Sequence, residues 1–358
     1  MNARNNPTAI QPRRVLAVLA LAFVLGAAGP AAFAAYNNAG AGLQTVLSGT
    51  VDNGGLYMSS QATWTNGANP AVGQPYTINT SFTMPSVDDL VNGRLVLTLW
   101  GGTSNYTANL GVSVNGNPLV SGGLAFGKAS DTNATFSATA PSVYGSGSGV
   151  WLVGLPILPA WLNTNGSANS VSITVTTPDS FDGRISQATL LSVYRRADLN
   201  NRFQYAIAEG SGDLYRTPTG AQTSQWTTAF GGLSLEDPTA ATLRAVYTYG
   251  DSNQNDRLYF NGTALGGATS NDAARWAPSP TGLSYGPDAA SYDVLSLVEV
   301  TNAALFSVGL DVPGTRESSL RAQIVALGIT AVPEPGASAL VALGIALAAA
   351  LRRRGDHA

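Results

Sequence analysis

Residues 94–100 read RLVLTLW, and after a polar loop residues 110–119 read LGVSVNGNPL. Leu recurs at every second position of the first run (95, 97, 99), and apolar residues alternate with small or polar ones in the second, the period of a strand. Asn115-Gly116 follows the second run, and both residue types tolerate positive φ, which suits a tight hairpin. The same order returns at 242–250 (TLRAVYTYG) and 257–265 (RLYFNGTAL), with its own pair at Asn261-Gly262.

The parallel extends outward. ANSVSITV (168–175) and GRISQATLLSVY (183–194) are matched by NAALFSVGL (302–310) and SLRAQIVALGI (319–329). Short β-rich runs punctuated by Gly, Asn, Ser, Pro and Asp predict an all-β protein. Their repetition predicts two tandem β-sandwich domains, jelly-roll-like, over 35–197 and 198–331. The polar stretch RRADLNN (195–201) is the expected joint, and 156–162 (PILPAWL) the one helix-like segment.

Composition narrows the chemistry. Only 11% of the 358 residues are charged, Cys is absent, and His357 is the sole histidine. No thiol nucleophile, disulfide, Cys-ligated metal or internal Ser-His-Asp triad is available. What survives is carboxylate chemistry or a hard-cation site built from oxygens. Between residues 36 and 331 there are 12 basic and 19 acidic side chains, a net charge of −7, which argues against a nucleic-acid partner.

Both ends read as addresses. Arg4, Arg13 and Arg14 precede the apolar run 15–28, and Ala32-Phe33-Ala34 places small residues at −3 and −1. That pattern predicts a signal peptide over 1–34, cut before Ala35 by signal peptidase. At the other end, residues 332–358 have three parts: Pro333-Glu334-Pro335, a charge-free helix at 336–351, and Arg352-Arg353-Arg354. A 16-residue helix is short for a membrane, and snorkelling Arg side chains cover the deficit. Arg beyond a span belongs in the cytoplasm, which leaves the middle outside.

This tripartite tail resembles the PEP-CTERM sorting signal of Gram-negative bacteria. The resemblance implies transient association with the inner membrane through the helix. It also implies processing near Pro333-Glu334-Pro335 by a membrane transpeptidase, exosortase, in a bacterium that makes exopolysaccharide. Residues 94–331 resemble a family of unknown function found in archaeal and bacterial surface proteins. The matching residues are Phe181-Asp182-Gly183-Arg184, Tyr205-Ala206-Ile207-Ala208-Glu209-Gly210 and Leu258-Tyr259-Phe260-Asn261-Gly262. That likeness implies surface residence and sandwich architecture, and no activity.

Candidate sites are few. Asp251, Asn253, Asn255 and Asp256 could converge on a calcium ion, but position six of the loop is not Gly and position twelve is not Glu, so it is no EF-hand. The plainer reading is a polar loop joining two strands. Residues 122–129 (GGLAFGKA) nearly spell a phosphate-binding loop, yet Ala129 stands where Ser or Thr is needed. Trp64, Trp226 and Trp276 lie in polar surroundings and are the candidates for stacking on a sugar ring, whereas Trp100 and Trp161 read as core. A glycosidase would need two convergent carboxylates, and Asp179, Asp182, Glu209, Asp213, Glu236, Asp237 and Glu299 are available.

The expectation is therefore a non-catalytic protein exported through the inner membrane to the cell surface or biofilm matrix. It needs no cofactor beyond the calcium such a loop could take, and it makes weak multivalent contacts with exopolysaccharide. A specific carbohydrate-binding module is the alternative, and a carboxylate glycosidase the third reading.

Overall fold

In residues 94–100, Leu95, Leu97 and Leu99 pack into one core while Val96 packs into another, and Arg94 and Thr98 are buried beside it. A strand buried on both faces needs a layer on each side, and that requirement organises the molecule. The computed structural model describes residues 40–63, 71–100, 107–127, 138–145, 150–178, 184–214, 225–233, 237–248, 256–265, 288–308, 320–333 and 345.

The strands are β1 (Gly40–Asp52), β2 (Gly54–Ala62), β3 (Pro75–Thr83), β4 (Asp89–Trp100), β5 (Thr107–Val114), β6 (Asn117–Pro118), β7 (Leu124–Gly127), β8 (Ser142–Gly145) and β9 (Val150–Ile157). They continue as β10 (Ala168–Thr176), β11 (Arg184–Arg195), β12 (Arg202–Leu214), β13 (Gln225–Phe230), β14 (Pro238–Thr248) and β15 (Asp256–Phe260). The last are β16 (Thr263–Ala264), β17 (Asp288–Asp293), β18 (Asn302–Val308) and β19 (Leu320–Ala331). The fold is all-β, and the ladders are antiparallel.

Four sheets result. Sheet I is β3-β10-β5-β6, with β7 also on β5, and sheet II is β2-β11-β4-β9-β8. Sheet III is β1-β12-β19-β14-β17, and sheet IV is β13-β18-β15-β16. Three cores bind them into a stack. Val112, Val171 and Ile173 of sheet I meet Leu95, Leu97 and Trp151 of sheet II. Val96, Leu152 and Val193 on the other face of sheet II meet Ile207, Ile324 and Ala326 of sheet III. Leu243, Val325 and Leu327 of sheet III then meet Leu258, Phe260 and Phe306 of sheet IV.

Sheets II and III are thus covered on both faces, which is why β11 and β19 read as nearly unbroken buried runs. Strand order repeats between the two pairs: β2, β11, β4 and β9 correspond to β12, β19, β14 and β17, and β3, β10, β5 and β6 to β13, β18, β15 and β16.

The repeat extends to single hydrogen bonds. Asn115 and Gly116 have φ 49° and 80°, and Asn261 and Gly262 have φ 47° and 80°, the two-residue hairpin predicted for each. Asn115 Nδ2 donates to Trp161 O and Asn169 Oδ1, and Asn115 Oδ1 accepts from the Ser170 N–H. Asn261 Nδ2 donates to Leu297 O and Asn302 Oδ1, and its Oδ1 accepts from the Ala303 N–H. Each asparagine pins its hairpin to a short 3-10 turn, Pro159–Trp161 or Leu295–Leu297. The helix-like segment expected at 156–162 is that single turn after the end of β9.

One strand departs from the expected division. Residues 35–197 were expected to form one sandwich, yet β1 pairs along its length with β12 in sheet III. The chain changes sheets at Asn53, whose positive φ of 55° turns it from β1 into β2. Hydrogen bonds from the Asn53 N–H to Asn201 O and from the Arg196 N–H to Asn53 O fasten that corner. Beyond the corner, Leu43 of β1 packs into the core between sheets III and IV, and Val46 and Val51 into the core between sheets II and III.

The residues expected to form a signal peptide (1–34), and those of the expected C-terminal helix (336–351) apart from residue 345, lie outside the described residues. Among the described residues no helix is long and apolar enough to cross a membrane.

Candidate functional site

Polar side chains gather where sheets II and III face each other. Arg94 on β4 and Glu209 on β12 form an ion pair with both side chains essentially inaccessible to water. The contact is bidentate: Nε donates to Oε1, and Nη2 donates to Oε2 at 2.8 Å. Nη2 also donates to Ser142 Oγ at 3.0 Å. Gly154 on β9 leaves the room, since a Cβ there would lie 2.5 Å from both Arg94 Nη2 and Glu209 Oε2. Burial alone would lower the Arg94 pKa, but the Glu209 carboxylate, with a smaller part from Tyr144, more than offsets it, and Arg94 stays cationic. Tyr144 beside it has its phenol pushed well up, first by burial and then by the Glu209 charge.

Two further bonds cross the same gap, Thr98 Oγ1 to Gln323 Oε1 and Asn92 Nδ2 to Tyr205 Oη, each at 2.8 Å. This polar layer fixes how the sheets face each other. It gives substrate no access to Glu209.

Among the described residues the other candidate carboxylates add no partner. Asp237 and Glu299 are exposed, the former in the turn before β14 with φ 50°. Asp179, Asp182 and Glu236, and the side chain of Asp213, lie outside the described residues. Among the described residues no three acidic or histidine side chains come together as a metal site. Asp251, Asn253 and Asn255 lie outside them, and Asp256 is placed only by its backbone, opposite Val308 at the start of β15.

Trp226, in polar surroundings in the sequence, is half-buried. Its ring lies across bare backbone at Gly42 of β1 and Gly212 of β12, where a Cβ would sit 2.8 Å and 2.9 Å from it. The two glycines make a shelf that the sequence around Trp226 gave no sign of. Trp64 and Trp276 lie outside the described residues. Trp100 and Trp161 are half-buried rather than core, while Trp151 is fully buried against Phe126, ring centroids 5.7 Å apart.

The accessible site is elsewhere. A cleft of about 420 Å³ opens between edge strand β2 and the β14–β17 edge, lined by Leu56, Tyr57, Pro85, Tyr194, Arg244 and Ser291. A second cavity of about 220 Å³ adjoins it and shares Leu56, Tyr194 and Arg244. Arg244 stands between the two. It alternates with Leu243 and Ala245, which face sheet IV, so it reaches toward sheet II, where its Nη1 donates to Leu56 O at 2.8 Å.

No carboxylate among the described residues lies within ion-pair distance of Arg244. Burial lowers its pKa, against a smaller opposing influence from Tyr194. Gly55 makes space for the Tyr194 ring, whose Oη would be 2.6 Å from a Cβ there. Sequence reasoning missed this cleft. Its one visible signal was an arginine on the inward alternation of an apolar strand.

The chain belongs to the family described as a protein of unknown function (DUF3344), whose model matches residues 36–329. No curated protein matches the chain in sequence. Among solved structures it is similar to PNGase F, a glycosylasparaginase from Flavobacterium meningosepticum, with 11% identity over 76% of this chain and 96% of that one, TM-score 0.27. It is also similar to the ANXUR2 extracellular domain from Arabidopsis thaliana, with 11% identity over 82% and 93% of the two chains, TM-score 0.22. Likenesses of that size carry no argument about function.

Proposed function

We propose that this is an exported, non-catalytic surface or matrix protein that contacts extracellular polysaccharide. One observation carries the reading. The last strand, β19, lies between β12 and β14 in sheet III and ends at Ala331, two residues before Pro333. A cut at Pro333-Glu334-Pro335 would therefore separate all the described strands from the proposed helix at 336–351 and from Arg352–Arg354. Ala32 and Ala34 set the opposite cut, by signal peptidase. Exosortase is the proposed processing partner, and the inner membrane a stage in export.

The repeated strand order and the matched Asn115 and Asn261 networks support two tandem sandwich modules arisen by duplication, with β1 exchanged onto the second. Two similar modules raise avidity without a tight single site. The burial of Glu209 against Arg94 supports a structural use for the one candidate carboxylate that lies inside the stack among the described residues. The cleft at Arg244 favours a second reading, a specific carbohydrate-binding module, with the 251–256 loop as its candidate calcium contributor.

Both readings are tested by titrating the protein against polysaccharides, the producer's own included, with calcium and with chelator. Saturable binding with a clear sugar preference supports the binding module, and its loss in chelator assigns calcium to the loop. No binding to any polymer overturns the proposed matrix contact.

A further inference from the structure

We infer that the cleft between β2 and β14–β17 binds a carboxylate-bearing saccharide, such as a uronic acid unit of an acidic polysaccharide; this rests on the polysaccharide-contact reading above. Three features converge. The first is charge. Arg244 is a partly buried guanidinium with no acidic partner among the described residues, in a region whose net charge is −7. One N–H is anchored on Leu56 O, which orients the fork while its other donors have no acceptor among the described residues. A carboxylate is the anion whose planar geometry such a fork matches in pairs.

The second is shape. The cleft volume of about 420 Å³ falls within the roughly 300–1,000 Å³ usual for ligand sites. The adjoining cavity shares Leu56, Tyr194 and Arg244 with the cleft, which gives a neighbouring sugar a second place beside the same guanidinium. The third is surface chemistry. Tyr57 and Tyr194 supply aromatic bodies with polar tips, suited to a ring that is apolar on its faces and hydroxylated at its edge. Ser291 on one side and Thr242 and Thr330 on the other are hydroxyl partners for it. An acidic protein repels an acidic polymer at long range, so binding must be local to this guanidinium.

The test is calorimetric titration of the purified full chain with a galacturonate hexamer, the same hexamer with its carboxyl groups reduced to alcohols, and acetate. Arg244→Gln removes the charge. Ser291→Asp places a like charge on the exposed rim and leaves Arg244 intact, so it reads the site even if Arg244→Gln fails to fold. The expected result is saturable binding of the acidic hexamer, at least tenfold weaker for the reduced hexamer and for both variants. Hexamer binding unchanged in the variants, or equal for the reduced form, overturns the cleft assignment and leaves polysaccharide contact standing. Acetate binding as tightly as the hexamer makes this a small-anion pocket and overturns the saccharide assignment. Failure to bind any polysaccharide overturns the wider reading as well.

Discussion

Arg94 on β4 and Glu209 on β12 are 115 positions apart in sequence, yet they close a bidentate ion pair across the buried face between sheets II and III. Desolvating both charges costs several kcal/mol, which the mutual contact and the bond to Ser142 offset. What the pair contributes is geometry. An apolar face can slide, whereas a forked contact between two sheets has one good position.

Removing one partner should therefore hurt more than removing both. Glu209→Gln or Arg94→Met should each destabilise the fold by about 3–5 kcal/mol, because a buried charge is left without its partner. The double replacement by apolar residues should recover much of that loss. Denaturant titration of the three variants checks the order.

Stability should fall at alkaline pH. The buried Tyr144 phenol, raised by burial and by the Glu209 charge, holds its proton more tightly in the folded chain than in the unfolded one. Its contribution is complete below the unfolded phenol pKa of about 10, and is lost as pH rises beyond it. The slope is up to about 1.4 kcal/mol per pH unit for this group. Burial raises Tyr205 in the same direction. Tyr144→Phe should flatten the decline in melting temperature above pH ~10, and an unchanged decline would exclude Tyr144 as its source.

The two hairpin asparagines should behave as a pair. Asn115→Gly and Asn261→Gly keep the positive φ and delete the side-chain bonds to the 3-10 turn and to the following strand. Each should cost about 1–3 kcal/mol by leaving buried groups unpaired. Melting curves that differ widely between the two would argue against equivalent roles in the two pairs of sheets.

Local features were legible and long-range ones were not. Alternation and the Asn-Gly pairs marked strands and hairpins, because both are set by neighbours in sequence. The pattern of β1 did not say that it joins sheet III, since the residues that receive Leu43, Val46 and Gly42 lie far along the chain and the turn at Asn53 is fastened by Asn201 and Arg196. Arg94 and Glu209 each stood in an apolar run, a hint that each needed a partner, but nothing local paired them. Trp226 sat among polar residues and still turned inward, because the glycines that receive it come from β1 and β12. Arg244 was legible only as an oddity within an apolar strand.

The central claim is that the folded body is made for the outside of the cell. The most direct test is intact-mass and terminal-peptide analysis of the protein recovered from producing cells, fractionated into cytoplasm, membrane and exterior. The account predicts an exterior protein that begins at Ala35 and lacks the residues beyond Pro333-Glu334-Pro335. An unprocessed chain of 358 residues held in the cytoplasm would contradict it.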